Sequence, residues 1–439
     1  MFVQLDISLA ARCSRAAGLG RGWAIGLVYV EGLLVLMALT AGAFLFPLPG
    51  AILAGYQVRI LFKTPRIMLH GDVVRKFLVF SLIFAVLMAV VERWAAGAEI
   101  GFAIIVLFLC GVIFTFKRQA RTLAETLSKI ENRQALENCF FSSRGNRDSL
   151  LEHMLTPRFQ RAIPSLAGAI ALLGAGIALS IGFEKNFVIF AAIAASYLIY
   201  RARRHLARPA EEARTSDDRP PVLILRSFHD DKLTTERFSP VPTRSFEQIV
   251  AKVMQEAGPP IVIGDPRESL PRLGAYRHYA RDEDWKSVVA SLMDESACLL
   301  FLLGDSANLF WEFQQALAKH RETDSLIVIP PLKAEVRQER WERFVIETRN
   351  MMNDRLPQRL PNDAFLAVFF RHGTPVFISA KKHTVAAYRL VLRLFLSIRN
   401  EGISSSDEFT HFLQQCSPLI RMDAVESEQS GSDSQIPAG

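Results

Sequence analysis

The hydrophobic pattern changes character near residue 200. Before it, apolar residues run together in long blocks. After it, short apolar runs alternate with polar stretches of helical period. Four blocks approach the roughly 20 residues that cross a hydrocarbon core of about 30 Å, at 23–46, 77–91, 100–116 and 165–183. A shorter block, 187–200, follows the turn Glu184-Lys185-Asn186. This predicts an α-helical transmembrane region over residues 23–205, with an insertion at 117–162. In the second half, the runs 222–225, 261–263, 299–303 and 326–329 predict strands, with further strands at 365–370 and 375–379. Helices are predicted at 245–256, 282–296, 310–320, 335–350 and 384–398, the first opened by a capping box of Ser245 and Gln248. Strands alternating with helices imply an α/β domain over 221–400, a mostly parallel sheet with helices on both faces.

Charge orders these pieces. Basic residues are dense between the first two blocks (Arg59, Lys63, Arg66, Arg75, Lys76), across 117–162 and just after 200, whereas Arg93 and Lys185 stand nearly alone in the turns between. The positive-inside rule then puts the α/β domain in the cytoplasm, beneath an inner-membrane, multi-pass region whose partner is the lipid bilayer. Five spans would place the segment 1–22 outside, whereas Arg12, Arg15 and Arg21 favour the inside; a hairpin turning at Pro47-Leu-Pro-Gly50 would give six passes or a re-entrant segment. Residues 206–220 read as a polar linker and 401–439 as a largely disordered tail. The net charge of +7 is explained by this topology, with no nucleic-acid partner implied. The five cysteines are far apart, and neither they nor the nine histidines show a metal-ligand spacing, so no metal is expected.

In a sheet of this kind ligands sit beyond the carboxyl ends of the strands. Those ends carry Arg226, Ser227, Phe228, Asp230 and Asp231 after the first strand, Asp265 after the second, and Gly304, Asp305 and Ser306 after the third. Dinucleotide, P-loop, zincin and hydrolase motifs are absent from the sequence.

The order of pieces resembles the Toll/interleukin-receptor-like (TIR-like) domains of bacteria. Leu225-Arg-Ser-Phe-His-Asp-Asp231 looks like their first strand and acidic loop. Trp285 with Val288, Val289 and Leu292 looks like their second helix. The segment from Cys298 through Gly304-Asp-Ser-Ala-Asn308 to Trp311-Glu312 looks like their third strand, its Ser-containing loop and the start of the next helix. The resemblance spans about residues 221–330. It implies a flavodoxin-like sheet, self-association through the α/β domain, and NAD as a substrate rather than a resident cofactor. Glu312 matches the glutamate that lies by the ribose during cleavage of the nicotinamide bond, with Trp311 beside it. In the commonest family pattern, Trp-Cys-x-x-Glu, three positions separate Trp and Glu; here Trp311 directly precedes Glu312.

Each residue also has a simpler role. Glu312 serves equally as a first-turn acid complementing a helix dipole, Trp311 as core, and Asp230 and Asp231 as loop caps. Three functions follow: a membrane-tethered TIR-like signalling or defence module cleaving NAD, a non-catalytic protein-interaction module, or a transporter or sensor regulated by its cytoplasmic domain.

Overall fold

The computed structural model describes residues 2–12, 14, 157–182, 187–207, 209–227, 245–264, 274–281, 283–352, 355–360, 364–400, 406–416 and 420–425. The chain forms two compact units. The larger comprises Met1–Ile7, Ser143–Ile403 and Met422–Gly439. In the other, the described helix Ser406–Gln415 buries Phe409, Phe412 and Leu413, the spacing of an amphipathic helix. It lies in the stretch expected to be a disordered tail.

The larger unit is built on one sheet. Its strands are β1 (Phe2–Asp6), β2 (Val222–Leu225), β3 (Pro260–Gly264), β4 (Tyr276–Tyr279), β5 (Cys298–Leu302), β6 (Ser325–Val328), β7 (Phe365–Arg371), β8 (Thr374–Ser379) and β9 (Arg421–Val425). They lie in the order β4-β3-β2-β5-β6-β7-β8-β1-β9. The five strands from β4 to β6 are mutually parallel. Continuous apolar runs such as Val222–Leu225 and Cys298–Leu302 are buried along their whole length, as a strand covered on both faces requires.

The mostly parallel, flavodoxin-like sheet expected from the sequence is corrected to a nine-stranded mixed sheet. β7 is antiparallel to both β6 and β8. The β7–β8 pairing has a local cause: Arg371 pairs with Thr374 across His372 and Gly373, whose φ values of 47° and 77° form a two-residue hairpin turn. A further difference lies at the ends of the chain. β1 pairs in parallel with β8, Phe2 packing on Phe377 with ring centroids 4.9 Å apart, although no strand was expected in the basic segment 1–22.

Helices cover both faces. α4 (Phe246–Met254) links β2 to β3, and α6 (Ala307–Ala318) links β5 to β6. These crossovers step in opposite directions along the sheet, so right-handed connection places them on opposite faces. α8 (Val385–Asn400) lies beside α4, with Phe246 edge-on to Tyr388 at 4.7 Å. On the other face α5 (Trp285–Glu295), α6 and α7 (Ala334–Met352) pack through Trp285 on Trp311 and Phe313 on Phe344.

Ahead of the sheet stand α1 (Pro157–Gly182), α2 (Phe187–His205) and α3 (Ala210–Ser216). The reading of 23–205 as a membrane-spanning region is corrected here: among the described residues, no helix is long and apolar enough to cross a membrane. α1 begins with Pro157, Arg158, Arg161 and Pro164, and half of its remainder, 165–182, is Ala or Gly. The apolar blocks 23–46, 77–91 and 100–116 lie outside the described residues. The described residues therefore do not support the multi-pass, inner-membrane placement expected from these blocks. The stretch read as a linker contains α3, which buries Ala210 and Ala213 and lies along the outer edge of β4, Pro209 bridging to Arg277 and Glu211 Oε1 lying 2.7 Å from His278 Nδ1.

Candidate functional site

From β2 the chain runs outward to β3 and β4, then returns to β5 on the other side of β2. The boundary between β2 and β5 is therefore the topological switch point, where an open α/β sheet leaves a crevice at its carboxyl edge. The register pairs Leu225 with Phe301, so Arg226 and Ser227 emerge level with Leu302 and Leu303. Strand alternation continues past Leu225. Leu223 and Leu225 belong to the core cluster under α5, α6 and α7, so Ser227 falls on that side and Arg226 on the side of α4.

On the α4 side, three charges are buried together. Arg226 Nε lies 2.8 Å from Glu247 Oε2, and their side chains are only 3% and 5% exposed. Arg277 Nη2, on β4, lies 3.1 and 3.2 Å from the two oxygens of the same carboxylate. Glu247 is in the first turn of α4, just after the Ser245 cap, where the helix dipole favours a negative charge. Two glycines make room for the cluster. A Cβ on Gly264 would lie 3.2 Å from Arg277 Cδ and 2.7 Å from the Tyr279 ring. Gly274, at φ +140°, approaches Glu247 so closely that a Cβ would lie 3.0 Å from Oε1.

On the other side stands Glu312. The expected helix start at 310 is corrected: α6 begins at Ala307, because Ser306 Oγ accepts a hydrogen bond from the Leu309 N–H and caps it. Glu312 thus sits in the second turn, beyond the reach of the dipole effect invoked for a first-turn acid. Its side chain points inward, leaving the residue 7% exposed, and among the described residues Oε2 has no hydrogen-bond partner. Burial pushes its carboxyl up to about 8, and the Arg226 guanidinium only partly offsets this. Ser227 Oγ is buried and likewise without a hydrogen-bond partner among the described residues. A buried polar atom left unmatched costs about 1–3 kcal/mol, which makes these two atoms candidates for contact with a ligand.

Of the residues singled out from the sequence, Arg226, Ser227 and Glu312 come together here. Gly304 is buried in the turn between β5 and α6, Ser306 is the cap, and Asp305 is exposed. Trp311 does not join them. It lies edge-on to Trp285 at 5.0 Å, with Lys286 Nζ 5.3 Å from its ring centre, in the seam between α5 and α6. Phe228, Asp230, Asp231 and Asp265 lie outside the described residues. Sequence reasoning missed Glu247 and Arg277. A signal was present for the first: it follows the capping serine of the helix that begins after the β2 loop. Cys298, buried in β5, has its thiol pushed up to about 12 by burial, which makes it an inert core group. Among the described residues no cluster of His, Cys, Asp or Glu has the geometry to hold a metal ion.

Comparison with protein-family models, curated proteins and solved structures finds no match to this chain.

Proposed function

We propose that the α/β unit is a TIR-like signalling or defence module that cleaves the nicotinamide–ribose bond of NAD, with Glu312 as its reacting carboxylate. The observation that carries this is the buried Oε2 of Glu312, without a hydrogen-bond partner among the described residues, on the helix that follows β5 at the switch point. The chemistry needs little else. As the C1′–N bond breaks, its electron pair leaves with the ring and neutral nicotinamide departs. The ribose becomes an oxocarbenium ion, water adds at C1′, and a proton is released. A carboxylate fixed beside C1′ in a dry site stabilises that cation as it forms.

With its carboxyl raised to about 8 by burial, Glu312 is largely protonated at neutral pH. NAD brings the compensating charge, because its pyridinium ring is cationic. Seating that cation beside Glu312 favours the ionised carboxylate, so substrate binding and ionisation support one another. Arg226, held by Glu247, is a positive charge that favours the ionised form of Glu312. The test is to incubate the full chain with NAD and follow both products. Nicotinamide and ADP-ribose in equal amounts support the proposal; intact NAD at high protein concentration contradicts it and favours a non-catalytic interaction module.

A further inference from the structure

We propose that Glu247 and Arg277 are positioning residues for the Glu312 site, fixing Arg226 at the β2–β5 boundary from the opposite face of the sheet. This deepens, and rests on, the reading of Glu312 as the reacting carboxylate.

Two close contacts and one electrostatic influence form a series. Arg277 donates to both oxygens of Glu247, Glu247 holds the Arg226 guanidinium at 2.8 Å, and Arg226 is the charged group that acts on Glu312. Packing alone does not call for three charged groups there. Burying an ion costs several kcal/mol even after relaxation, and apolar side chains of equal volume often serve a core as well or better. Here three ions are buried at 2–5% side-chain exposure, with Gly264 and Gly274 clearing the space they occupy. The construction places one guanidinium where strand alternation would put an apolar side chain. It also makes the field at Glu312 depend on a balance: Glu247 offsets Arg226, and Arg277 offsets Glu247.

That balance gives a signature that loss of packing alone does not produce. Glu247→Gln leaves Arg226 without its counter-charge, so the Glu312 carboxyl ionises more readily. Arg277→Met leaves Glu247 free to offset Arg226 more fully, so Glu312 ionises less readily. The two substitutions shift the titration in opposite directions, each by about one pH unit. Arg277→Lys, which keeps the charge, stays near wild type. The experiment is infrared titration of the full chain, following the protonated-carboxyl band that Glu312→Gln removes. It needs no turnover, so a failure of the NAD proposal appears separately, as wild type that releases no nicotinamide yet shows the opposed shifts. If Glu247→Gln does not fold, Glu247→Asp, which keeps the charge but withdraws it, should give a smaller downward shift. Equal midpoints in all variants, or shifts of the same sign in Glu247→Gln and Arg277→Met, would overturn the assignment.

Discussion

Arg226 and Glu312 are electrostatically coupled across the boundary between β2 and β5, and the coupling is too weak to keep Glu312 ionised. Burial raises the carboxyl to about 8 against the pull of the guanidinium, whose own charge is shared with Glu247 2.8 Å away. A buried acid in this state is stabilised as its carboxylate by a neighbouring cation. Perturbed carboxyls in crevices are the usual mark of a functional site.

The first prediction concerns stability and pH. Because the folded value for Glu312 lies above its ordinary value of 4.5, the folded state holds a proton that the unfolded chain has released between about 4.5 and 8. Stability contributed by the protonated group is complete below that window and is lost as pH rises through it, by up to roughly 1.4 kcal/mol per pH unit. Chemical denaturation of wild type and Glu312→Gln from pH 5 to 9 should show the mutant gaining relative stability as pH rises. A constant difference across that range would mean that Glu312 is ionised throughout.

The second concerns rate and pH. If the ionised form of Glu312 is the active one, kcat/KM for NAD should rise with pH through about 8, the value of the free protein. The profile of kcat should turn at lower pH, because the bound pyridinium favours the carboxylate. Superimposable profiles would argue that the cation does not sit beside Glu312.

A third prediction addresses the buried ions. Removing one partner from such a cluster strands the others, at a cost of roughly 3–5 kcal/mol. Glu247→Ala should therefore lower the denaturant midpoint strongly, whereas Arg359→Ala, which removes an exposed arginine facing Glu342, should lie within about 1 kcal/mol of wild type. Similar effects from both would show that the Glu247 cluster is not buried.

The fourth uses the glycine under Arg277. Gly264→Ala puts a methyl group within 2.7 Å of the Tyr279 ring and 3.2 Å of Arg277 Cδ, so both must move. Overpacking of this kind costs about 1–3 kcal/mol. A lowered melting temperature is expected, and an unchanged one would mean that β4 is free to shift.

The strands and helices nearest the site were legible in the sequence because continuous apolar runs and a capping box are local signals. Val222–Leu225 and Cys298–Leu302 read as buried strands from their composition alone, and Ser245 with Gln248 marked the start of α4. β4 was not legible. Tyr-Arg-His-Tyr is an edge strand whose one inward position is an arginine, tolerated only because Glu247 meets it from another element. β1 was missed for a related reason: its partner, β8, lies more than 370 residues away, and nothing local specifies that pairing. The hairpin at His372-Gly373 was overlooked in favour of the alternating pattern around it, which is why the sheet was expected to be mostly parallel. Apolar blocks suggested membrane spans by hydropathy alone, yet among the described residues no helix is long and apolar enough to cross a membrane. At the site, Arg226 and Glu312 were visible as charges at the right ends of the right elements. Their burial was not, since burial depends on what packs above them.

The most direct measurement is nicotinamide release from NAD by the full chain, wild type beside Glu312→Gln, at equal concentration and at pH 8. Gln keeps the shape and removes the charge that stabilises the ribose cation. The loss of such a preorganised electrostatic contribution is worth about 2.7–4 kcal/mol, so kcat should fall roughly 100- to 1,000-fold. Folding should be retained, since the substitution relieves a buried carboxyl. Equal rates in the two proteins would remove Glu312 from the chemistry and contradict the account at its centre.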